Sequence, residues 1–385
     1  MSFSVRYNDN DQELTVSGAL TPETAAELSD LRAIFARALR AARGSLHLNV
    51  KRLRRLNNIA FREFLTFVAD AHRADPALKI SVVTSSMVGW SARKFERLSR
   101  VNPNVSVLLY DQKFYPGQEA LEDGSFIPVL RTQTRLTWRH EQHLLPRHGL
   151  KEGMTVADIC CGIGDFAVLL HKAFRPTRIV AVDHAKPSLH YARRVAADFG
   201  IRGVEYIHGD AADLLLESDQ FDFVTCRHSL QIFNRPELIL KELFRICKPG
   251  GRVYVSNEKI SHCLGEPRGP TIAWTYHELT KLFADFNMDL EFGPKNRRFL
   301  GDAGFEEIRE DHFMVTSRDG EPQDFADMIA AWEEAFAGGL CQRRGDGAEF
   351  VSRFRQGFQD HIFAALHPRG YAGWPIWVAS GRKPL

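Results

Sequence analysis

The segment that most constrains the fold of this chain runs from Thr155 to Leu170 and reads TVADICCGIGDFAVLL. An apolar run there leads into Asp158, two cysteines and the glycines Gly162 and Gly164, before a second apolar run begins. This order predicts a buried strand, a tight turn and the start of a helix. Because glycine has no Cβ, the backbone can turn sharply there and let a ligand approach the helix start. The segment therefore predicts a site for a nucleotide-like cofactor.

A second predicted strand, residues 178–182, ends at Asp183 and His184. Asp183 lies nineteen residues after Gly164, a spacing at which a carboxylate can accept hydrogen bonds from ribose hydroxyls in a strand-helix-strand unit. The imidazole of His184 is placed to lie on an adenine face. Aspartate also caps turns and helices, so a purely structural role is the alternative for each aspartate at a strand end.

Two more predicted strands, residues 204–208 and 221–226, end in polar residues as well. The first leads to Asp210 and Ala211, and the second leads to Arg227 and His228. Helical segments separate the strands throughout, and this alternation is typical of an α/β fold with a largely parallel sheet. Polar residues at several strand ends are therefore expected to meet at one edge of that sheet.

Together these motifs resemble the class I S-adenosylmethionine-dependent methyltransferases over roughly residues 130–260, especially the small-molecule branch that includes the ubiquinone and menaquinone methyltransferases. The first motif of that family is acidic-x-Gly-x-Gly-x-Gly, and this chain has Cys160 in place of the first glycine. A later motif has Gln231 and Ile232 where two histidines often occur. The resemblance implies a Rossmann-like sheet of seven strands, S-adenosyl-L-methionine as cofactor, and transfer of a methyl group to O, N, C or S of a small molecule.

The resemblance also implies roles for individual residues. His228 is the first candidate for a general base, needed only if the acceptor must lose a proton, because histidine titrates near neutral pH; His262, His277 and Tyr276 compete for that role. Candidates for covering the cofactor or contacting substrate are Tyr115, Trp138, Trp274 and Tyr276. Residues expected to bind the cofactor are Asp158, Cys160, Gly162, Gly164, Asp183, His184, Asp210, Ala211 and Arg227.

Other functions compete with methyl transfer. A nicotinamide oxidoreductase is disfavoured because no third glycine follows Gly164 at the spacing that lets a helix pack closely on a strand. Two alternatives remain open: a non-catalytic scaffold that senses S-adenosylmethionine, and another sulfonium reaction such as aminocarboxypropyl transfer or cyclisation, since a fold does not determine its chemistry.

The first 112 residues resemble the STAS domain family in their order of strands and helices, with helices predicted over Pro22–Ala42 and Val88–Ser99. Regulatory members of that family carry a phosphorylatable serine before the second long helix, where this chain has Asn57 and Asn58. We therefore expect a docking, dimerisation or sensing module without that switch. Residues 113–128 are predicted to be a linker, and residues 129–385 a methyltransferase domain with a helical insertion at 322–370.

Composition agrees with a cytoplasmic enzyme of two or three domains, because 385 residues with 44% hydrophobic content can fill several cores. No apolar run approaches the roughly 20 residues of a membrane span, and the six cysteines lack metal-ligand spacing. The first 116 residues carry 17 Lys and Arg against 11 Asp and Glu, densest at Lys51–Arg55. No nucleic-acid motif accompanies them, so a solvated loop is predicted there. The expected partner is a small-molecule substrate, with the front domain a candidate homodimer or protein contact.

Overall fold

The computed structural model describes residues 3–9, 12–51, 53–85, 91–110 and 127–385. The chain divides into two compact units. The first comprises Met1–Gln112 with Asp213–Glu217, and the second comprises Lys113–Ala212 with Ser218–Leu385. The segment predicted to be a linker lies almost wholly outside the described residues.

The first unit contains a six-stranded sheet in the order β1-β2-β3-β5-β6, with β4 paired to β2. β1 and β2 form an antiparallel hairpin, and the remaining pairs are parallel. The strands are β1 Phe3–Asn8, β2 Glu13–Leu20, β3 Ser45–Asn49, β4 Leu53–Leu56, β5 Lys79–Ser85 and β6 Val105–Tyr110. The helices are α1 Ser29–Ala41, α2 Asn58–Ala74 and α3 Ser91–Phe95, with 3₁₀ turns at Ala25–Leu28 and Glu96–Arg100. The similarity to STAS domains stays a prediction.

The first helical segment begins later than predicted. The helix was expected to start at Thr21–Pro22, but the helical backbone starts at Ala25. Thr24 and Glu27 form a capping box there, in which the Glu27 carboxylate accepts the backbone N–H of Thr24 at 2.9 Å. Reciprocal caps of this kind satisfy N–H groups that a helix start leaves unpaired. The helical segment therefore starts at the capping box and not at Pro22.

Two further expectations for this unit need correction. The basic segment Lys51–Arg55 was predicted to be a solvated loop, yet Leu53 begins β4 and its side chain is fully buried. Pairing of β4 with β2 is a tertiary contact that charge patterning cannot reveal. The helix predicted over Val88–Ser99 is shorter in the described residues, since α3 ends at Phe95 and a 3₁₀ turn follows; residues 86–90 lie outside them.

The second unit contains an eight-stranded sheet in the order β12-β14-β11-β10-β7-β8-β9, with β13 also paired to β14. Strands β7 to β11 are parallel, and β14 is antiparallel to β11 and β13. This Rossmann-like sheet confirms the predicted fold class, while the short strand β12 adds an eighth member to the seven strands that were predicted. The strands are β7 Thr155–Ile159, β8 Arg178–Asp183, β9 Val204–His208, β10 Phe221–Arg227, β11 Cys247–Glu258, β12 Leu264–Glu266, β13 Glu306–Thr316 and β14 Tyr371–Arg382.

Helices cover this sheet and supply most of its apolar partners. They are α4 Ile127–Arg147, α5 Asp165–Phe174, α6 Lys186–Asp198, α7 Pro236–Ile246, α8 Gly269–Ala284, α9 Asn296–Asp302, α10 Pro322–Glu333, α11 Cys341–Arg344 and α12 Ala348–Leu366. Short 3₁₀ turns lie at Leu230–Ile232, Ile260–His262 and Gly293–Lys295, and a π-helical turn spans Glu334–Leu340. α10, the π-helical turn, α11 and α12 form the predicted insertion, whose aromatic residues Phe325, Phe354 and Phe358 are fully buried.

Gly164 is required by packing at the start of α5. Its φ is +74°, and a Cβ built there would lie 2.6 Å from Cε1 of Tyr206. We expect Gly164→Ala to lower the free energy of unfolding by about 2–5 kcal/mol, because it adds backbone strain and a steric clash. Urea unfolding should show a smaller loss for Gly200→Ala, since Gly200 has φ +66° but no atom within 4 Å of a Cβ. Equal losses for the two variants would contradict this packing role.

Candidate active site

A pocket lies at the carboxyl ends of the parallel strands β7, β8, β10 and β11, where open α/β sheets commonly bind ligands. One end of the pocket is lined by Asp158 near the end of β7, by Cys160 and Gly162 in the turn that follows, and by Asp183, the last residue of β8. The other end is lined by His228 and by apolar residues of several helices. The pocket therefore joins a polar end, lined by several of the residues predicted to bind the cofactor, to a largely apolar end.

Asp158 is the most deeply buried carboxylate of the polar end. Its Oδ1 accepts a hydrogen bond from the Thr225 hydroxyl at 2.8 Å, while Oδ2 has no hydrogen-bond partner among the described residues. Burial raises the pKa of Asp158 to about 6. A buried carboxylate oxygen without a donor is costly, and a ligand ammonium group would satisfy it. Asp158 thus fits the amino group of the methionine arm of S-adenosylmethionine.

Asp183 shapes the glycine turn as well as lining the pocket. Its Oδ2 accepts the N–H of Gly162 at 2.7 Å, and its Oδ1 accepts the N–H of Ala185 at 2.8 Å. Burial raises the pKa of Asp183, and these backbone hydrogen bonds oppose that effect. Each carboxylate oxygen still has acceptor capacity for a second donor. The structural and ligand-binding roles considered for this residue are therefore compatible.

Most of the predicted cofactor residues line the pocket, and two do not. Lining residues from that set are Asp158, Cys160, Gly162, Asp183, His184, Ala211 and Arg227. Gly164 instead lies against Tyr206, and the buried Asp210 caps its own loop by accepting the N–H of Ala212 at 2.9 Å. Cys160 has a φ of +60°, the left-handed conformation that favours glycine, the residue expected here from the motif that this segment resembles.

A buried ion pair between Arg227 and Glu141 lies next to the polar end of the pocket. Nε of Arg227 donates to Glu141 Oε1 at 2.9 Å, and Nη2 donates to Glu141 Oε2 and, at 2.8 Å, to the Thr137 hydroxyl. Tyr254 donates its hydroxyl to the same Glu141 at 3.1 Å, and the Arg227 guanidinium stacks 3.8 Å from the Phe166 ring centroid. Sequence analysis missed Glu141 and Thr137; their spacing of four on α4 places both on one helix face, a signal that could have identified them.

Of the predicted substrate residues, the three that the structure describes do not line the pocket. Trp138 packs edge-on against Phe166 and Phe174, so it belongs to the core. Trp274 stacks on Arg353, whose guanidinium carbon is 3.9 Å from the ring centroid. Tyr276 is fully buried and hydrogen-bonds to Nδ1 of His361 at 2.6 Å. Aromatic residues at helical spacing served packing in each case, and Tyr115 lies outside the described residues.

The apolar end takes its walls from helices that the sequence did not connect with the site. Leu279 and Phe283 come from α8, and Trp332 and Phe336 come from the insertion. Phe336 lies in the π-helical turn, a feature that frequently marks functional sites in helices. The insertion therefore contributes both core and pocket wall.

No group of three or more metal-ligating side chains occurs within the described ranges. Among the helices that the structure describes, none is sufficiently long and apolar to cross a bilayer.

Comparison with known proteins agrees with this geometry. The methyltransferase domain family matches residues 156–251, which contain the glycine turn and strands β7 to β10. The chain contains a class I S-adenosylmethionine-dependent methyltransferase domain.

Two relatives and one solved structure are similar to longer parts of this chain. The chain is 31% identical over 126 residues to demethylmenaquinone methyltransferase of Oceanobacillus iheyensis, covering 32% of this chain and about half (52%) of the relative. It is 28% identical over 218 residues to the Staphylococcus aureus enzyme of the same name, covering 55% of this chain and 83% of the relative. A structure of Haemonchus contortus phosphoethanolamine N-methyltransferase 2 with S-adenosyl-L-methionine is similar at 15% identity and a TM-score of 0.46, covering 89% of this chain and 85% of that one. That structural similarity is too low to support an inference.

Proposed function

We propose that the protein transfers a methyl group from S-adenosylmethionine to an uncharged, largely apolar small molecule. The observation that supports this function best is one pocket with two different ends. The polar end offers Asp158, Asp183 and the Gly162 turn to a nucleoside with an amino acid arm, and the apolar end leaves room beside it for an acceptor. A sensing scaffold would need only the first end, so the second favours an enzyme.

The scarcity of positively charged residues in the pocket lining favours an uncharged acceptor. Of the described lining residues, Arg227 alone is a lysine or arginine, and its guanidinium is already paired with Glu141. A phosphorylated or carboxylated acceptor would be buried without a cation, which is costly. The walls formed by Phe283, Trp332 and Phe336 instead suit an apolar body. The name of the relatives, demethylmenaquinone methyltransferase, agrees with an acceptor of this kind.

The residues of the chain would mainly bind, orient and exclude water. Asp158 and Asp183 hold the cofactor by charge and hydrogen bonding, and the apolar walls align the acceptor in a dry environment, which favours in-line displacement. Bound S-adenosylmethionine supplies an activated methyl group, which leaves the sulfonium as the neutral sulfide S-adenosylhomocysteine forms.

We also propose a role for the first unit of the chain. The first unit would act as a docking, dimerisation or sensing module of an enzyme that works in the cytoplasm. Sedimentation of the full chain, with and without cofactor, would detect a dimer.

Calorimetry with S-adenosylmethionine, S-adenosylhomocysteine and, as control, NADH tests the cofactor first. Micromolar binding of the sulfur nucleotides with no binding of NADH is the expected result. Incubation with apolar candidate acceptors should then yield S-adenosylhomocysteine. Formation of methylthioadenosine would favour aminocarboxypropyl chemistry instead, and absence of nucleotide binding would overturn the proposal.

Cofactor binding should depend on pH through Asp158. Because burial raises its pKa to about 6, the group is mostly neutral at pH 5 and mostly ionised at pH 7. Only the carboxylate attracts an ammonium group, so affinity for S-adenosylhomocysteine should rise about tenfold between these pH values, with proton release near pH 6. Calorimetry in two buffers of different ionisation enthalpy measures both quantities.

Asp158→Asn is the matched control for that titration. This variant should bind weakly, and its affinity should not show the tenfold rise. The same rise in the variant would show that another group causes it.

A further inference from the structure

His228 and Glu258 form a hydrogen-bonded pair in the wall of the pocket. His228 directly follows β10 and Glu258 is the last residue of β11, so the neighbouring parallel strands place them side by side. Nδ1 of His228 lies 2.7 Å from Oε1 of Glu258. Both side chains are largely buried, and both line the pocket.

The backbone around His228 holds the ring in this position. The φ of His228 is +52°, a conformation that is uncommon for residues other than glycine. Its N–H donates to the Ser256 carbonyl at 2.7 Å, and its ring lies 5.4 Å from the Trp374 ring, centroid to centroid. Strained backbone of this kind persists where the surroundings enforce it and is concentrated at functional sites.

The pairing determines which ring nitrogen can take a proton. A carboxylate only accepts hydrogen bonds, so Nδ1 of the neutral ring carries the hydrogen and Nε2 has the lone pair. Nε2 is buried, yet it has no hydrogen-bond partner among the described residues. A histidine that served packing alone would be expected to use both nitrogens.

We propose that His228 is the proton acceptor for a hydroxyl group on the acceptor molecule, and that Glu258 is the residue that positions it. This inference rests on the proposed function. The acceptor would be an apolar molecule with one weakly acidic hydroxyl. Its O–H bond breaks, Nε2 binds the proton, and the oxygen uses the released electron pair to bond to the methyl carbon, whose bond to the sulfonium sulfur would break with its electron pair left on sulfur.

The Glu258 carboxylate stabilises the imidazolium that results, as in other pairs of a base and an orienting acid. The proton then leaves to water after the product departs. The other charged groups near the ring, Arg227 and Glu141, neutralise each other, so Glu258 provides the compensating charge.

The test uses 4-nitrophenol, whose ionised form absorbs at longer wavelength, as a probe of the acceptor end. The probe is titrated with the full-length protein in the presence of S-adenosylhomocysteine, near the pH at which half of the free dye is ionised. We expect the ratio of ionised to neutral dye to be about tenfold higher in the bound state, because Nε2 takes the proton and forms an ion pair. This readout needs no turnover.

Two variants identify the residues responsible. His228→Asn keeps a residue type that tolerates positive φ but cannot take the proton, so it should bind the dye without the spectral shift. Glu258→Gln keeps the hydrogen bond but removes the charge, and should give a reduced shift. With a natural acceptor, both variants should lower kcat far more than they change KM.

Several results would overturn the inference. Wild-type protein that binds no dye, or binds it without a shift, would exclude the acceptor class or the base. A shift of equal size in His228→Asn would exclude His228. Failure of the proposed function is a separate result, because it would appear as loss of S-adenosylhomocysteine binding in calorimetry of the wild type.

Discussion

Asp183→Ala is expected to weaken S-adenosylhomocysteine binding by about a hundredfold. The substitution removes a partly buried carboxylate that is proposed to hold the ribose, and charge-assisted hydrogen bonds contribute about 1.5–3 kcal/mol each. It also leaves the N–H groups of Gly162 and Ala185 without their acceptors, so the glycine turn loses its support. Isothermal calorimetry at neutral pH measures the change.

Asp183→Asn separates the loss of the proposed ribose contact from the loss of support for the glycine turn. Its amide oxygen can still accept one backbone hydrogen bond, so this variant should keep more of the thermal stability than alanine and still bind the nucleotide weakly. Asp198→Ala provides a control because Asp198 is exposed at the end of α6, and its affinity should match the wild type. An unchanged dissociation constant in a folded Asp183→Ala protein would remove the basis of the proposed cofactor site.

Glu141→Ala is expected to lower the free energy of unfolding by about 3–5 kcal/mol. Glu141 is fully buried and pairs with Arg227, and removal of one partner leaves a buried charge without compensation. Burial alone would raise the pKa of Glu141, but the Arg227 guanidinium outweighs it and lowers that pKa. Because the folded-state pKa lies below the ordinary value, this stabilisation is complete above about pH 5 and disappears as pH falls further.

Urea unfolding of Glu141→Ala should be compared with that of Glu205→Ala. Glu205 pairs with Arg178 at 3.0 Å, but both side chains are about half exposed, and such pairs contribute about 0–1 kcal/mol. A loss for Glu141→Ala no larger than that of the control would contradict the buried network. Binding of S-adenosylhomocysteine should also weaken in Glu141→Ala, since Arg227 lines the pocket.

Local sequence was sufficient to predict the polar end of the pocket. Asp158, Gly162 and Asp183 lie within or directly after short strands, and the carboxyl ends of parallel strands meet at one sheet edge. The same reasoning placed His228 there but missed Glu258, because the sequence pattern predicts the next strand only over residues 252–256, two residues short of Glu258. The observed strand continues to Glu258, which is the hydrogen-bond partner of His228.

Helical patterns were less informative about the site. Tyr276, Trp332 and Phe336 all show helical apolar spacing, yet Tyr276 is buried in the core while the other two line the pocket. Spacing along a helix reports which face is covered, and it does not report whether the covering partner is protein or ligand. Only the position of α10 and the π-helical turn against the sheet shows which of these residues line the pocket and which lie in the core.

The sequence by itself determined the strand-helix alternation, the glycine turn and the carboxylates of the polar end, because each depends on neighbouring residues and on the regular geometry of a parallel sheet. Only the tertiary structure decided which distant residues meet: Glu141 with Arg227 across 86 positions, and His228 with Glu258 across 30. Burial of such groups away from water makes their pairing energetically necessary, but no local pattern specifies the partner. The carboxylates that line the polar end could therefore be predicted from sequence, and the partners of Arg227 and His228 could not.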